Sequence, residues 1–300
     1  MFIVAGIIVF SYDLDKKSFV VMVNIINILS FVVFFIFREK IETNVTELMD
    51  ESKYLSINIE NIYEANIGYI LIALFILMGA ILIFFALFNV SRYQLLLKED
   101  GVIESGSAIF WLLAAGVSFA YVIKLLKNKS RKRQIINNIL LMFFFFLCLG
   151  EEISWGQRIF GIKTPELLSQ VNIQNETNLH NIGSISVFSN LFFLITLTFF
   201  LLIPYLIKKD EQAKKLLYYV YFPVPSRFAI NIYLGTLLVW IVVGIRFGTL
   251  GFHPFSFYPE HYDTQMDDEI FEFLVAYSFL CFSILNSTTR LILKKNTLSK

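Results

Sequence analysis

Seven apolar stretches dictate what this chain can fold into, because about 20 apolar residues in a helix match the roughly 30 Å of hydrocarbon in a bilayer. They run from Phe19 to Phe37, Ile67 to Val90, Ser105 to Leu126, Ile135 to about Trp155, Ser184 to Leu206, Ala229 to Phe247 and Ile270 to Leu293. An eighth segment, Met1 to Phe10, is apolar but short. It lacks a basic leader and a small-residue cleavage site, so it reads as a short span more than a removable signal. The expected fold is an all-α polytopic transmembrane helix bundle, one membrane domain over residues 1–300.

Composition supports this. Hydrophobic residues make up 57% of the chain and charged residues 16%, far from the balance of a soluble domain. The net charge of +1 supplies no global field for nucleic acid, so none is expected as a partner. Two cysteines, Cys148 and Cys281, sit in apolar runs without metal-like spacing and read as small packing residues.

Basic residues orient the spans. Lys127, Lys129, Arg131, Lys132 and Arg133 separate the third and fourth, and Lys208, Lys209, Lys214 and Lys215 separate the fifth and sixth. Lys294, Lys295 and Lys300 follow the last. The positive-inside rule makes these segments cytoplasmic. The stretches 91–104, 151–183 and 248–269 then share the outer face, and 38–66 forms an acidic cytoplasmic loop. Parity puts the N-terminus outside with seven spans and inside with eight; eight is the favoured count. Pro223-Val-Pro225 reads as an interfacial turn before the sixth span.

Acidic residues recur at the outer ends. GEEISWGQR (150–158) places Glu151 and Glu152 within a turn of the boundary, at a helix C-terminus where the macrodipole disfavours negative charge by roughly a few tenths of a kcal/mol. Something must offset that cost: an arginine, a metal ion or a proton. Asp268 and Glu272, at i and i+4, share one face of the last span. Helix capping explains Asp267, Asp268 and Glu269 but not Glu272, which lies too deep. Glu104 falls near the start of the third span, where capping is again the plainer account. His180 falls before the fifth. Four spans thus bring acids and an imidazole to one depth, and acids inside a membrane usually face a bundle interior or wet cavity.

Such a set suits a divalent cation. The metal-ligating candidates are Glu104, Glu152, His180, Asp268 and Glu272, and the catalytic candidates are Glu151, Glu152 and Glu272. Arg158, Trp155 and Arg246 are the substrate-binding candidates, an arginine being suited to a phosphate headgroup. A stack of Glu151, Trp155 and Arg158 without any metal is a competing account of the same residues. Thr164-Pro165-Glu166 is a good helix start for a short surface helix roofing the site. His253 and His261 lie among aromatics in a stretch suited to the membrane interface.

Three motifs, EDGVIE (99–104), GEEISWGQR (150–158) and ETNLHN (176–181), make the chain resemble a group of bacterial polytopic membrane proteins carrying E-D-G-x-x-E, G-E-E-x-S-W-G-Q-R and E-x-N-L-H-N. The resemblance covers about a third of the chain and implies a polytopic fold in a bacterial inner membrane, with no activity attached. A weaker analogy is to seven-span membrane metal hydrolases such as alkaline ceramidases, whose His-x-x-x-His pair on the last helix is absent here. Three functions are expected to compete: a metal-assisted hydrolase or transferase acting on a lipid or lipid-linked substrate at the outer leaflet, a proton- or cation-coupled transporter, and a structural or partner-binding membrane protein.

Overall fold

The computed structural model describes residues 54–98, 101–169, 177–178, 186–247 and 266–298. The expected spans at 1–11 and 19–37 lie outside the described residues. The chain divides into two compact units, Met1–Ile59 and Glu60–Lys300. Only residues 54–59 of the first are described.

Every regular element among the described residues is helical. The principal helices are α1 (Tyr54–Phe88), α2 (Val90–Leu96), α3 (Val102–Lys127), α4 (Lys132–Glu152), α5 (Ser186–Leu197, Thr198–Leu202 and Ile203–Lys209), α6 (Glu211–Tyr219), α7 (Arg227–Phe247) and α8 (Met266–Leu298). Six segments are long and apolar enough to cross a membrane: Ala65–Phe88, Val102–Lys127, Lys132–Glu152, Leu191–Lys209, Arg227–Phe247 and Glu269–Ser287. They coincide with the last six of the seven expected spans, which makes the chain a multi-pass membrane protein by length and composition.

α8 is the central helix. Its spanning window is 78% buried, against 17–44% for the other five. Nearly every residue from Ile270 to Leu285 is enclosed, while α3 and α7 pack along it. Lipid is as apolar as leucine, so close packing and hydrogen bonds hold such a bundle together rather than burial from water. Around the middle of α8, Phe279 meets Trp111 of α3, Phe145 of α4, and Phe199 and Phe200 of α5, with ring centroids 4.9–5.5 Å apart. Such ring pairs each contribute about 0.5–1.5 kcal/mol beyond their contact area.

Buried polar groups are paired, as hydrocarbon requires. Tyr277 donates its hydroxyl to the Leu71 carbonyl (2.7 Å), tying α8 to α1. Thr196 and Tyr233 share a hydrogen bond of 2.9 Å between α5 and α7. Inside α5 the turn Thr198–Leu202 widens to π-helix just before Pro204. Proline has no N–H to donate and its ring collides with the carbonyl four residues back, so a wider turn relieves both defects.

The connections follow local rules. The turn before α7 lies at Val220 and Tyr221 rather than at the expected Pro223-Val-Pro225, which is irregular, and Ser226 accepts from the Ala229 N–H (3.4 Å) as α7 begins. α6 opens on Asp210, whose carboxylate accepts from the N–H groups of Gln212 and Ala213 at 2.8 and 3.2 Å. The short helix expected after Thr164-Pro165 is present as one turn, Glu166–Ser169.

Candidate carboxylate site

α4 stops at Glu152, three residues earlier than the expected Trp155. After Ile153 the backbone turns left-handed at three consecutive residues: Ser154 (φ 46°), Trp155 (φ 54°) and Gly156 (φ 79°). Side chains on a non-glycine residue disfavour this region by about 1–2 kcal/mol each. The i, i+4 ruler therefore ends at residue 153, and the expected alignment of Arg158 with Glu151 on one continuous helical face does not hold. The side chain of Arg158 itself lies outside the described residues.

Neighbours on a helix point about 100° apart, and this splits the two acids. Glu151 accepts at Oε1 from the Trp155 indole N–H (2.9 Å), whose ring is 43% exposed on the outside of the bundle. That ring folds back over Gly150, where a Cβ would stand 2.9 Å from it and push it aside. Glu152 turns the other way, into the seam with α3. Its Oε2 lies 2.7 Å from Ser107 Oγ, and its Oε1 accepts from the Trp111 indole N–H at 3.3 Å. Ser107 and Trp111 are each 1% exposed.

Ser107 gives this carboxyl group a particular chemistry. Its Oγ is also 2.8 Å from the Glu104 carbonyl, yet a hydroxyl carries one proton. With Glu152 ionised, Ser107 donates to Oε2. With Glu152 protonated, Oε2–H donates to Ser107, whose own proton turns to the Glu104 carbonyl. Both protonation states are satisfied without moving a heavy atom.

The other acids gather at the same end. Glu104 sits in the first turn of α3, where the helix dipole favours it, and its charge acts on Glu152. Glu272 is half-buried on α8, next to Phe273, whose ring lies where a Cβ on Gly106 of α3 would come within 2.6 Å. The Cys148 thiol is within electrostatic reach of Glu152, Glu272 and Glu151 together. Trp240 of α7 meets Phe271 of α8 at 5.4 Å, so Arg246, a turn and a half further along, lies at this end too. Its guanidinium carbon is 5.4 Å from the Phe247 ring centroid. His180 and the side chain of Asp268 lie outside the described residues, and among the described residues no three His, Cys, Asp or Glu side chains form a metal-sized group.

A second network pins the left-handed turn. Thr177 places its hydroxyl 2.6 Å from the Ser154 carbonyl, and its N–H donates to Gln157 Oε1 at 2.7 Å. Gln157 Nε2 donates to Thr164 Oγ1 (2.6 Å), and the buried Asn178 donates to Ser154 Oγ (3.3 Å). GEEISWGQR is thus joined to EDGVIE through Glu152 and Ser107, and to ETNLHN through Ser154, Gln157, Thr177 and Asn178. The sequence reading missed all of these partners. One signal was present: Glu104, Ser107 and Trp111 fall at helical spacing on one face, and an indole N–H in mid-span requires an acceptor.

No protein-family model, curated protein or solved structure matches the chain.

Proposed function

We propose that this is a seven- or eight-span protein of a bacterial inner membrane, with the carboxylate end outermost. There it catalyses metal-assisted hydrolysis or transfer on a lipid or lipid-linked substrate. Glu152 is the general base, and the observation that carries this role is its pairing with Ser107 in a geometry that serves both protonation states. A base must take a proton and later return it, and here neither event requires rearrangement.

Glu104 and Glu272, with His180 and Asp268, are the proposed ligands of a divalent ion; Glu152, also a ligand candidate by sequence, would instead hold the water beside it. Ser107 and Trp111 fix the carboxyl group of Glu152 for that task. When bound, the ion would polarise the scissile group and acidify a water. Arg158 and Arg246 would hold an anionic headgroup, and Trp155, exposed at the boundary, would face the lipid. Glu151 is the companion acid whose position the Trp155 indole fixes.

A transporter using the same acids would need a route to the other side. Directly beneath Glu152, Trp111 packs against Phe144, Phe145 and Phe279, with centroids 5.5–6.2 Å apart. That dry aromatic layer favours chemistry at one face over passage through the bundle.

The test is turnover by purified protein in lipid nanodiscs, with headgroup release or transfer followed by mass spectrometry and bound metal by elemental analysis. Glu152→Gln should lower turnover at least about 100-fold, the usual contribution of a general base, without loss of fold. Wild-type protein holding no stoichiometric metal, or a Glu152→Gln variant turning over normally, would overturn the assignment. Proton-driven ion flux in liposomes without lipid turnover would replace it by the transporter.

A further inference from the structure

At the end of the bundle opposite Glu152 lies a recess of about 310 Å³ lined by Arg131, Lys132, Arg133, Tyr219 and Tyr221. The 21 residues of α4 separate the two sites by roughly 30 Å, at about 1.5 Å per residue. Basic residues at the end of a span are expected from topology alone, so charge by itself identifies no ligand. Topology does not, however, require the arginines to fold onto aromatic rings from another part of the chain. The Arg131 guanidinium carbon lies 5.3 Å from the Tyr221 ring centroid, and that of Arg133 lies 3.9 Å from the centroid of Tyr219.

The wall that carries these rings is built. Val220 N–H donates to the Leu216 carbonyl (3.0 Å) and Phe222 N–H to that of Leu217 (2.9 Å), closing the end of α6. Tyr221 takes a left-handed φ of 58°. The Asn137 side-chain amide donates to the Val220 carbonyl, fastening the turn to α4. Among the described residues no carboxylate meets Arg131, Lys132 or Arg133.

We propose that this recess binds the phosphate of an anionic phospholipid in the adjoining leaflet. The tyrosine beside each guanidinium restrains it and leaves N–H groups for bonds to phosphate oxygens, while Lys132 adds a point charge. Two observations favour a lipid over a soluble phosphate ester. The recess is level with the span ends at Lys127, Lys132 and Arg227. Beside it, α6 exposes Leu216 and Tyr219, each 61% accessible, which suits contact with acyl chains.

The experiment compares phosphatidylglycerol, phosphatidylcholine, glycerol 3-phosphate and inorganic phosphate as ligands of the full-length protein in detergent, with affinities measured by native mass spectrometry. Phosphatidylglycerol should bind most tightly. An Arg131→Gln, Arg133→Gln double variant should weaken it at least about 100-fold, each arginine losing charge-assisted hydrogen bonds to the phosphate worth roughly tenfold or more. Lys208→Gln with Lys209→Gln removes the same charge at the same end of the bundle but outside the recess, where salt screens it, and should weaken binding less than about fivefold. Tyr219→Leu leaves the charge intact but frees Arg133, and should cost about two- to fivefold; it decides the matter should the arginine variant not fold. Equal weakening by the lysine control would reduce the site to diffuse attraction and overturn the proposal. So would unaltered binding by Tyr219→Leu, equal affinity for phosphatidylcholine, or binding of glycerol 3-phosphate as tight as that of the lipid.

Discussion

Glu152→Gln is the sharpest probe of how the half-buried carboxylate is held. The amide fits the same contacts. Its oxygen accepts from Trp111 in the 3.3 Å contact, its nitrogen donates to Ser107 across 2.7 Å, and the Ser107 proton moves to the Glu104 carbonyl at 2.8 Å. Two charge-assisted bonds of about 1.5–3 kcal/mol become neutral ones of about 0.5–1.5, a loss of roughly 2–3 kcal/mol in all. Against this, the variant no longer keeps an ionised acid among apolar helices, which costs roughly 2.5–3.5 kcal/mol on insertion scales. The two nearly cancel, so the net change should stay within about 1 kcal/mol. Ser107→Ala has no such compensation: it strips Oε2 of its partner and should cost about 1–2 kcal/mol, near the upper end for hydrogen bonds between membrane helices. The assay is reversible unfolding in mixed micelles titrated with a denaturing detergent, followed by circular dichroism, with chelator present so that no divalent ion contributes. If Glu152→Gln costs more than about 2 kcal/mol, or more than Ser107→Ala, an opposite charge holds the carboxylate and the account based on neutral donors is wrong.

Three further substitutions probe the surroundings. Gly150→Ala puts a methyl group 2.9 Å from the Trp155 ring; it should displace the indole from Glu151, cost about 1–3 kcal/mol as overpacking does, and shift tryptophan fluorescence, and an unchanged spectrum would refute the contact. Gly156→Ala, at φ 79°, should destabilise by about 1–2 kcal/mol in the same unfolding assay, and a neutral result would mean the left-handed turn is not maintained. Tyr233→Phe removes the 2.9 Å bond to Thr196 and should cost about 0.6–1.7 kcal/mol, with loss of protection around α5 in hydrogen exchange; equal protection in both proteins would rule the bond out as a link between α5 and α7.

Hydropathy made the six described spans legible because a bilayer imposes a length and a composition on any helix that crosses it. Counting from a basic span end, which needs only the helical rise, also anticipates that Glu104, Glu151, Glu152 and Glu272 fall at the ends of their helices on one side of the bundle. What could not be read was direction. Glu151 and Glu152 are chemically identical neighbours, and only the placement of α3 decides that one meets Ser107 and the other Trp155. The break after Ile153 was also hidden: Ser154 and Trp155 carry no general preference for left-handed backbone, and the partners that stabilise it, Thr177 and Asn178, arrive from more than 20 positions away. The folding of Arg131 and Arg133 onto tyrosines was hidden for the same reason, their rings being supplied by a different part of the chain.

The left-handed turn bears on function because of what it costs and what it accomplishes. Ser154 and Trp155 together store about 2–4 kcal/mol of backbone strain. Hydrogen bonds from Thr177, Asn178 and Trp155, at about 0.5–1.5 kcal/mol each, are of the size needed to hold it. A helix continuing past Glu152 would leave Trp155 on the Glu151 face, at i+4, and carry Gln157 straight on. Turning instead folds the indole over Gly150 while it donates to Glu151, and sets Ser154 and Gln157 against Thr177 and Asn178. The chain thereby stays beside Glu151 and Glu152, tied to Thr177 and Asn178. Strain kept in place by surrounding bonds is characteristic of segments that position reacting groups. Here it lies within four residues of Glu152, whose partners accommodate it with and without its proton.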